Sequence, residues 1–195
     1  MLLPDDPRAV VCDKEGKCYV VNRSTMRLVQ EFQAGVNTNG GHRYPNIHGN
    51  PVVWKNSQNV LELFVWAEED FLRVFHFEEQ RFRLGGTSTV RAPEMSMPGG
   101  MLSVSSNGNA AGSGIVWATV PISEDANQTT AAGIVRAFDA SNIMHELWNS
   151  EQEPTRDRLG MLAKFCPPVV AGGRVYVATF ANGGQRNKLV VYGLL

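Results

Sequence analysis

The sequence predicts an all-β protein built from a repeated four-strand unit, and three observations carry that reading. Apolar residues alternate with a period of two along almost the whole chain, and no segment sustains a 3.6-residue period. Gly, Pro, Asn and Asp interrupt the runs at short intervals, as turns between strands require. The runs also recur as similar sets in a fixed order. With 43% of its 195 residues hydrophobic, the chain can fill a substantial core.

The first set is an apolar run entered through Gly or Pro: "GNPVVWK" from Gly49, "GGMLSVSS" from Gly99 and "CPPVVAGG" from Cys166. A second set follows it: "LELFVWAEED", "GIVWATVP" and "RVYVATFANG", with "RAVVCDKEG" as an early copy that lacks a predecessor. The third set is "KCYVVNRST", "FLRVFHFEE", "IVRAFDASN" and "LVVYGLL", and the fourth is "LVQEFQ", "RFRLGGT" and "HELWNS". Third-set residues Val21, Phe75, Phe138 and Tyr192 are spaced by 54, 63 and 54 positions. The longer interval contains the polar insert "PISEDANQTTAAG". Repeated antiparallel units of four strands are the arrangement of β-propeller blades. An irregular β-sandwich of similar hairpins is the alternative; the constant order of strand types favours the propeller.

The expectation is therefore a partial β-propeller of about three and a half four-stranded antiparallel blades, forming one segment over residues 1–195. A partial blade covers about 8–33, full blades about 48–88 and about 99–150, and a three-stranded blade about 165–195. The first unit begins at a second strand and the last ends at a third. Such an arc leaves raw sheet edges that invite association. The expected partners are further propeller blades or a second copy of the chain.

Charge narrows the rest. With 18 basic and 19 acidic residues there is no basic excess to suit a nucleic acid. No apolar run approaches the roughly 20 residues that span a bilayer. The opening "MLLPDDPRAV" shows no basic n-region and no h-region, so no signal peptide is visible.

Cys12 and Cys18 flank "DKEGK", which reads as a tight hairpin with Gly16 at the residue needing positive φ. A three-residue loop would set Asp13 opposite Lys17 and Cys12 opposite Cys18. Two readings stay open there: small residues packed in a sheet, or a cross-strand disulfide. Cys166, just before Pro167, reads as a packed free thiol.

"AFDASNIMHELWNS", from Ala137, resembles the pyrroloquinoline-quinone-type propeller repeat, in which a small residue, an Asp and a turn precede a Trp that docks between blades. Ala137, Asp139, Asn142 and Trp148 match in kind, with one extra residue before the Trp. "GKCYVVNRSTMRLVQEF" is a weaker copy, with Asn22 for the Asp and Phe32 for the Trp. At repeat level nearly the whole chain is similar to the C-terminal part of quinoprotein alcohol dehydrogenase-like propellers. That resemblance implies a periplasmic or extracellular setting. The regularity of the repeat and the lack of a mappable catalytic set favour a non-catalytic scaffold that binds a ligand or protein. The alternative is part of a dehydrogenase that uses pyrroloquinoline quinone with calcium. The chain has no adjacent Cys-Cys pair and no matching Glu/Asn/Asp set, so no catalytic residue carries over.

The resemblance further implies that first strands line a central channel, with their entrance loops on the same face as the second-to-third turns. This gathers His48, Met97 to Gly100 and Lys164 to Pro167 at the channel mouth, with Glu68, Glu69 and Asp70 further out. The speculative ligand set is His48, Trp66, Glu68, Asp70, Arg73 and Lys164: carboxylates for a cation or polyol, Trp66 as a stacking surface, Lys164 as an anion anchor. The plainer expectation is a solvated acidic turn with Arg73 paired to one of its carboxylates, and Lys164 on the surface. Trp54, Trp66, Trp117 and Trp148 read as core packing. His42 and His48 lie in one Gly-rich loop and would need further ligands to hold a metal; no metal site is expected. No zinc spacing, phosphate loop or serine-hydrolase elbow occurs.

Overall fold

The computed structural model describes residues 1–36, 45–181 and 186–193. His42 therefore lies outside the described residues. The fold is all-β, with a single short helix, α1 (Pro154–Asp157), among the described residues. Four antiparallel sheets follow one another in chain order, each a meander of sequential strands.

Sheet 1 comprises β1 (Arg8–Cys12), β2 (Lys17–Asn22) and β3 (Leu28–Gln33). Sheet 2 comprises β4 (Val52–Lys55), β5 (Leu61–Val65), β6 (Phe71–Glu78) and β7 (Arg81–Arg91). Sheet 3 comprises β8 (Met101–Ser105), β9 (Ile115–Pro121), β10 (Ala132–Asp139) and β11 (Glu146–Asn149), with β12 (Gly160–Met161) added against β10. Sheet 4 comprises β13 (Val169–Ala171), β14 (Arg174–Ala178) and β15 (Leu189–Gly193).

The period-two pattern decides how the sheets stack. Side chains alternate across a strand, so a strand apolar at every position must be covered on both faces. β5 is buried throughout. Its Leu61, Leu63 and Val65 pack with Val10, Cys18 and Val20 of sheet 1, together with Phe75 and Phe82. Its Phe64 packs the other way, with Trp54, Trp66 and Leu72 against Leu102, Val116, Val120, Ile134 and Phe138 of sheet 3. Sheet 3 repeats the pattern. Val135, Trp117 and Trp148 point to the side opposite Phe138 and meet Val175, Val177, Val190 and Tyr192 of sheet 4. Three apolar seams thus join four sheets in sequence. β4 stands beside β8, and β8 beside β13, so the first strands of three successive sheets share one edge of the stack.

Aromatic side chains close the seams. Phe32 lies 5.0 Å from Phe75 and 5.9 Å from Phe82 between sheets 1 and 2. Trp66 meets Phe138 edge-on at 5.7 Å between sheets 2 and 3. Trp148 meets Tyr192 at 5.2 Å between sheets 3 and 4. The Tyr192 hydroxyl donates to the Asp157 carbonyl at 2.9 Å, and burial pushes its phenol up to about 12. All four tryptophans pack in or against these cores.

Two pairings were not expected from the sequence. Leu2 bridges Ala9, so a short segment runs antiparallel to β1 where no preceding strand was legible. β12 pairs with Ala132 and Gly133 of β10, and the adjoining Leu162 bridges Thr179 at the end of β14. That segment ties sheet 3 to sheet 4. No helix among the described residues is long and apolar enough to cross a membrane.

The first hairpin has the register its turn sequence suggests, with Cys12 opposite Cys18 and the Asp13 amide donating to the Lys17 carbonyl at 2.9 Å. Gly16 takes φ +78°, and a Cβ there would lie 2.6 Å from Pro45. Cys12 and Cys18 are joined in a disulfide, and Cys166 is free. Thiol titration of the denatured, unreduced protein is expected to find one reactive thiol per chain, rising to three after reduction. Three before reduction would show the pair to be open.

Candidate functional site

The most chemically loaded part of the chain is the turn between β5 and β6, "AEED", and it is not solvated. Glu68 is 4% exposed, Glu69 8% and Asp70 0%. The solvated-turn expectation is corrected for a physical reason: each carboxylate meets donors from a neighbouring loop, and a buried charge stands only when so satisfied.

Asp70 carries the densest set. Arg73 binds it through two nitrogens, Nε to Oδ2 at 2.7 Å and a terminal nitrogen to Oδ1 at 2.8 Å. The Val36 amide, just beyond β3, donates to Oδ2 at 2.8 Å. The Asp70 carbonyl accepts from Trp66 Nε1 at 2.8 Å and from the Ala92 amide at 2.8 Å. Glu68 turns to the segment entering β4. Asn46 Nδ2 donates to Oε2 at 2.8 Å, and His48 Nε2 lies 2.8 Å from Oε1. Glu69 faces the segment ahead of β8, where the Met95 amide donates to Oε1 at 3.0 Å.

The backbone shape of this region follows from close approach. Gly99 takes φ +79°, and a Cβ there would fall 2.7 Å from the Ala67 carbonyl carbon. Gly100 lies on the Trp66 ring, where a Cβ would meet ring carbon at 2.6 Å. Trp66 is therefore enclosed between the β8 entrance and Phe138, with no ring face open for stacking a ligand.

Of the six residues in the speculative ligand set, the structure brings His48 and Glu68 into direct contact, and Asp70 and Arg73 into a second pair beside Trp66. Lys164 lies apart from these. Its ammonium donates to the Ala126 and Asn127 carbonyls at 2.8 and 2.7 Å, pinning the polar insert between β9 and β10. The neighbouring Phe165 ring is 5.6 Å from the His48 ring.

Sequence reasoning missed Asn46, Ser96 and Asp125. Ser96 Oγ donates to the Glu124 carbonyl at 3.0 Å, and the Met97 amide donates to Asp125 Oδ1 at 3.2 Å. Asn46 stands two residues from His48 in "YPNIHG", and that proximity was the available signal. Ser96 and Asp125 are brought together only by sheet packing.

A second polar group, also missed, sits at the far end of β5. Glu62 is buried on the face shared with Phe64. Asn56 Nδ2 donates to Oε1 at 2.9 Å and His76 Nε2 lies 3.7 Å away, while Oε2 has no hydrogen-bond partner among the described residues. No group of three His, Cys, Asp or Glu side chains suited to a metal occurs among the described residues. Neither a family model nor a curated protein matches the chain.

Burial pushes the Glu62 carboxyl above its ordinary value, against the Asn56 hydrogen bond and the His76 charge. The folded chain thus holds a proton at Glu62 more tightly than the unfolded chain does. Ionisation of Glu62 disfavours folding, with an effect that begins above the unfolded value and is complete above the raised folded one. The stability of Glu62→Gln relative to the parent is expected to improve from pH 4 to pH 7, measured by urea unfolding. A relative stability that falls over that range would contradict this.

Proposed function

We propose that the chain is an arc of a β-propeller and acts as a non-catalytic scaffold for binding a ligand or protein. The observation that carries the reading is one grip repeated three times. The turn between β1 and β2 is held by the segment entering β4: the Ile47 amide donates to the Asp13 carbonyl at 3.2 Å, and Pro45 lies against Gly16. The turn between β5 and β6 is held by the segment entering β8, through Met95 on Glu69 and the Gly100 amide on the Trp66 carbonyl at 3.2 Å. The loop between β9 and β10 is held by the segment entering β13, through Lys164. One relation recurs between each unit and the next, as it does in radial repetition. The seams support the same reading, since Phe32 and Trp148 both lie between successive sheets where the repeat motif calls for a docking aromatic.

The scaffold reading follows from what the polar groups do. Glu68, Asp70, Arg73 and Lys164 all hold loops in place, and rigid loops on a sheet framework make a binding surface rather than a proton-transfer set. The dehydrogenase alternative needs carboxylate and amide oxygens that converge on calcium beside the quinone. The residues present do not fit that group. The Glu68 and Asp70 oxygens meet donors of the chain itself, and the disulfide joins two strands of a hairpin rather than adjacent residues.

Equilibrium dialysis of the purified chain against pyrroloquinoline quinone with Ca²⁺ is expected to show no retained chromophore above a protein-free control. Retention of one quinone per chain, dependent on Ca²⁺, would overturn the scaffold reading in favour of the dehydrogenase.

A further inference from the structure

Two stretches of the chain read Asn-x-Ser/Thr with a residue other than proline in the middle, Asn22-Arg23-Ser24 and Asn127-Gln128-Thr129. That pattern is the acceptor for N-linked oligosaccharide, and it belongs on a surface loop of a secreted protein. The fold treats the two stretches differently. In the first, the acceptor side chain is already engaged. Asn22 ends β2 and is half-buried. Its Oδ1 accepts from the Ser24 and Thr25 amides, each at 3.0 Å, and from the Thr25 hydroxyl at 3.1 Å. Its amide donates to the Arg27 carbonyl at 2.9 Å, and the Arg23 amide donates to the Pro7 carbonyl at 2.9 Å. A carboxamide that closes an Asx turn reaches an enzyme only if the turn opens.

The second stretch lies in the polar insert between β9 and β10, where residues 127–130 are all exposed. The Asn127 backbone is fixed from both sides. Its amide donates to Asp125 Oδ1 at 3.0 Å, and its carbonyl accepts from the Lys164 ammonium at 2.7 Å. Its carboxamide makes no hydrogen bond among the described residues. The Thr129 hydroxyl is held only by a 3.2 Å bond to the Asp125 carbonyl. Ala126, just before, is 1% exposed and packs with Ala131 and Leu162. The insert is thus rooted at its base and open at its tip, and the tip carries the acceptor.

An independent observation points to the same chemistry. Cys12 and Cys18 form a disulfide. Disulfides form and persist in oxidising compartments such as the endoplasmic reticulum lumen and the bacterial periplasm. Those are the compartments in which lipid-linked oligosaccharide is transferred to protein.

We propose that Asn127 is an attachment site for an N-linked glycan, and that Asn22 in the folded chain is not. The donor is an oligosaccharide carried on a polyprenyl pyrophosphate. Asn127 Nδ2 attacks the anomeric carbon of the first sugar. The carbon–nitrogen bond forms and the carbon–oxygen bond to pyrophosphate breaks. The lipid pyrophosphate leaves with the electron pair, and Nδ2 gives one proton to a base of the transferase. The backbone bonds to Asp125 and Lys164 are untouched, so the insert keeps its base while its tip takes a bulky, solubilising group. The inference stands apart from the propeller and scaffold readings, because it uses only the two loops and the disulfide.

Peptide mass spectrometry of the protein isolated from its own source is expected to find saccharide on the peptide that contains Asn127; an unmodified Asn127 there would overturn the proposal. The selectivity is tested on purified chain, with an oligosaccharyltransferase that accepts the plain Asn-x-Ser/Thr pattern and its lipid-linked donor. The folded, oxidised chain is expected to gain the mass of one oligosaccharide. Asn127→Gln and Thr129→Ala are expected to gain none, and Asn22→Gln still one. After reduction and unfolding the parent is expected to gain two. A folded chain that is modified at Asn22 as readily as at Asn127, or at neither, would contradict the assignment. A single saccharide on the unfolded chain would show that the fold is not what protects Asn22.

Discussion

The structure depends on a charge buried where the sequence suggests water. Asp70 has no exposed surface, and its two carboxylate oxygens accept three hydrogen bonds, two from Arg73 and one from the Val36 amide. An isolated carboxylate in such a place costs far more than a domain can absorb. It persists because all its donors arrive together. Arg73 comes from the same hairpin, but Val36 comes from the loop leaving sheet 1. The Asp70 carbonyl takes donors from Trp66 and from Ala92, on the way to sheet 3. One residue is thus satisfied only when the loop leaving sheet 1, the β5–β6 hairpin and the end of β7 are all in place.

Apolar seams and polar turns divide the work. The seams give the sheets a reason to stack, since hydrophobic burial is non-directional and rewards any close approach. They do not fix how far one sheet rotates or slides on the next. The buried carboxylates do, because hydrogen bonds hold only over a narrow range of distance and angle. Glu68 fixes the entrance to β4, Glu69 fixes the approach to β8, and Lys164 fixes the insert ahead of β10 from the entrance to β13. The proposed scaffold role rests on this division: the groups with the richest chemistry hold the loops in place.

Much of the fold was legible because its signals are local. Period-two alternation located the strands, and "DKEGK" gave the first hairpin and the opposition of Cys12 and Cys18. Where consecutive positions are apolar, as at Leu63, Phe64 and Val65 in "LELFV", burial on two faces follows. The candidate site was less legible because its signals are not local. Three consecutive carboxylates look solvated until it is known that Val36, Asn46 and Met95 come to meet them. Glu62 alternates in phase with Phe64, so the pattern places it on an inward face, yet its charge argues for an outward one; the pattern prevailed, at the expense of an unpartnered oxygen. β12, two residues long, carries no periodicity at all. Its position depends on Gly133 leaving room beside Leu162, where a Cβ would fall 2.9 Å from the Leu162 side chain.

The central claim is that the Asp70 cluster couples the loop after sheet 1 to the hairpin of sheet 2. Native-state hydrogen exchange in the parent and in Arg73→Met tests it most directly, because removing one partner of a buried ion pair costs about 3–5 kcal/mol where that pair acts. The Val36 amide should lose protection by about a hundredfold or more, while the Val135 amide, bonded to Ser150 Oγ at 3.1 Å in sheet 3, keeps more of its protection. An unchanged Val36 amide, or an equal loss at Val36 and Val135, would contradict the coupling.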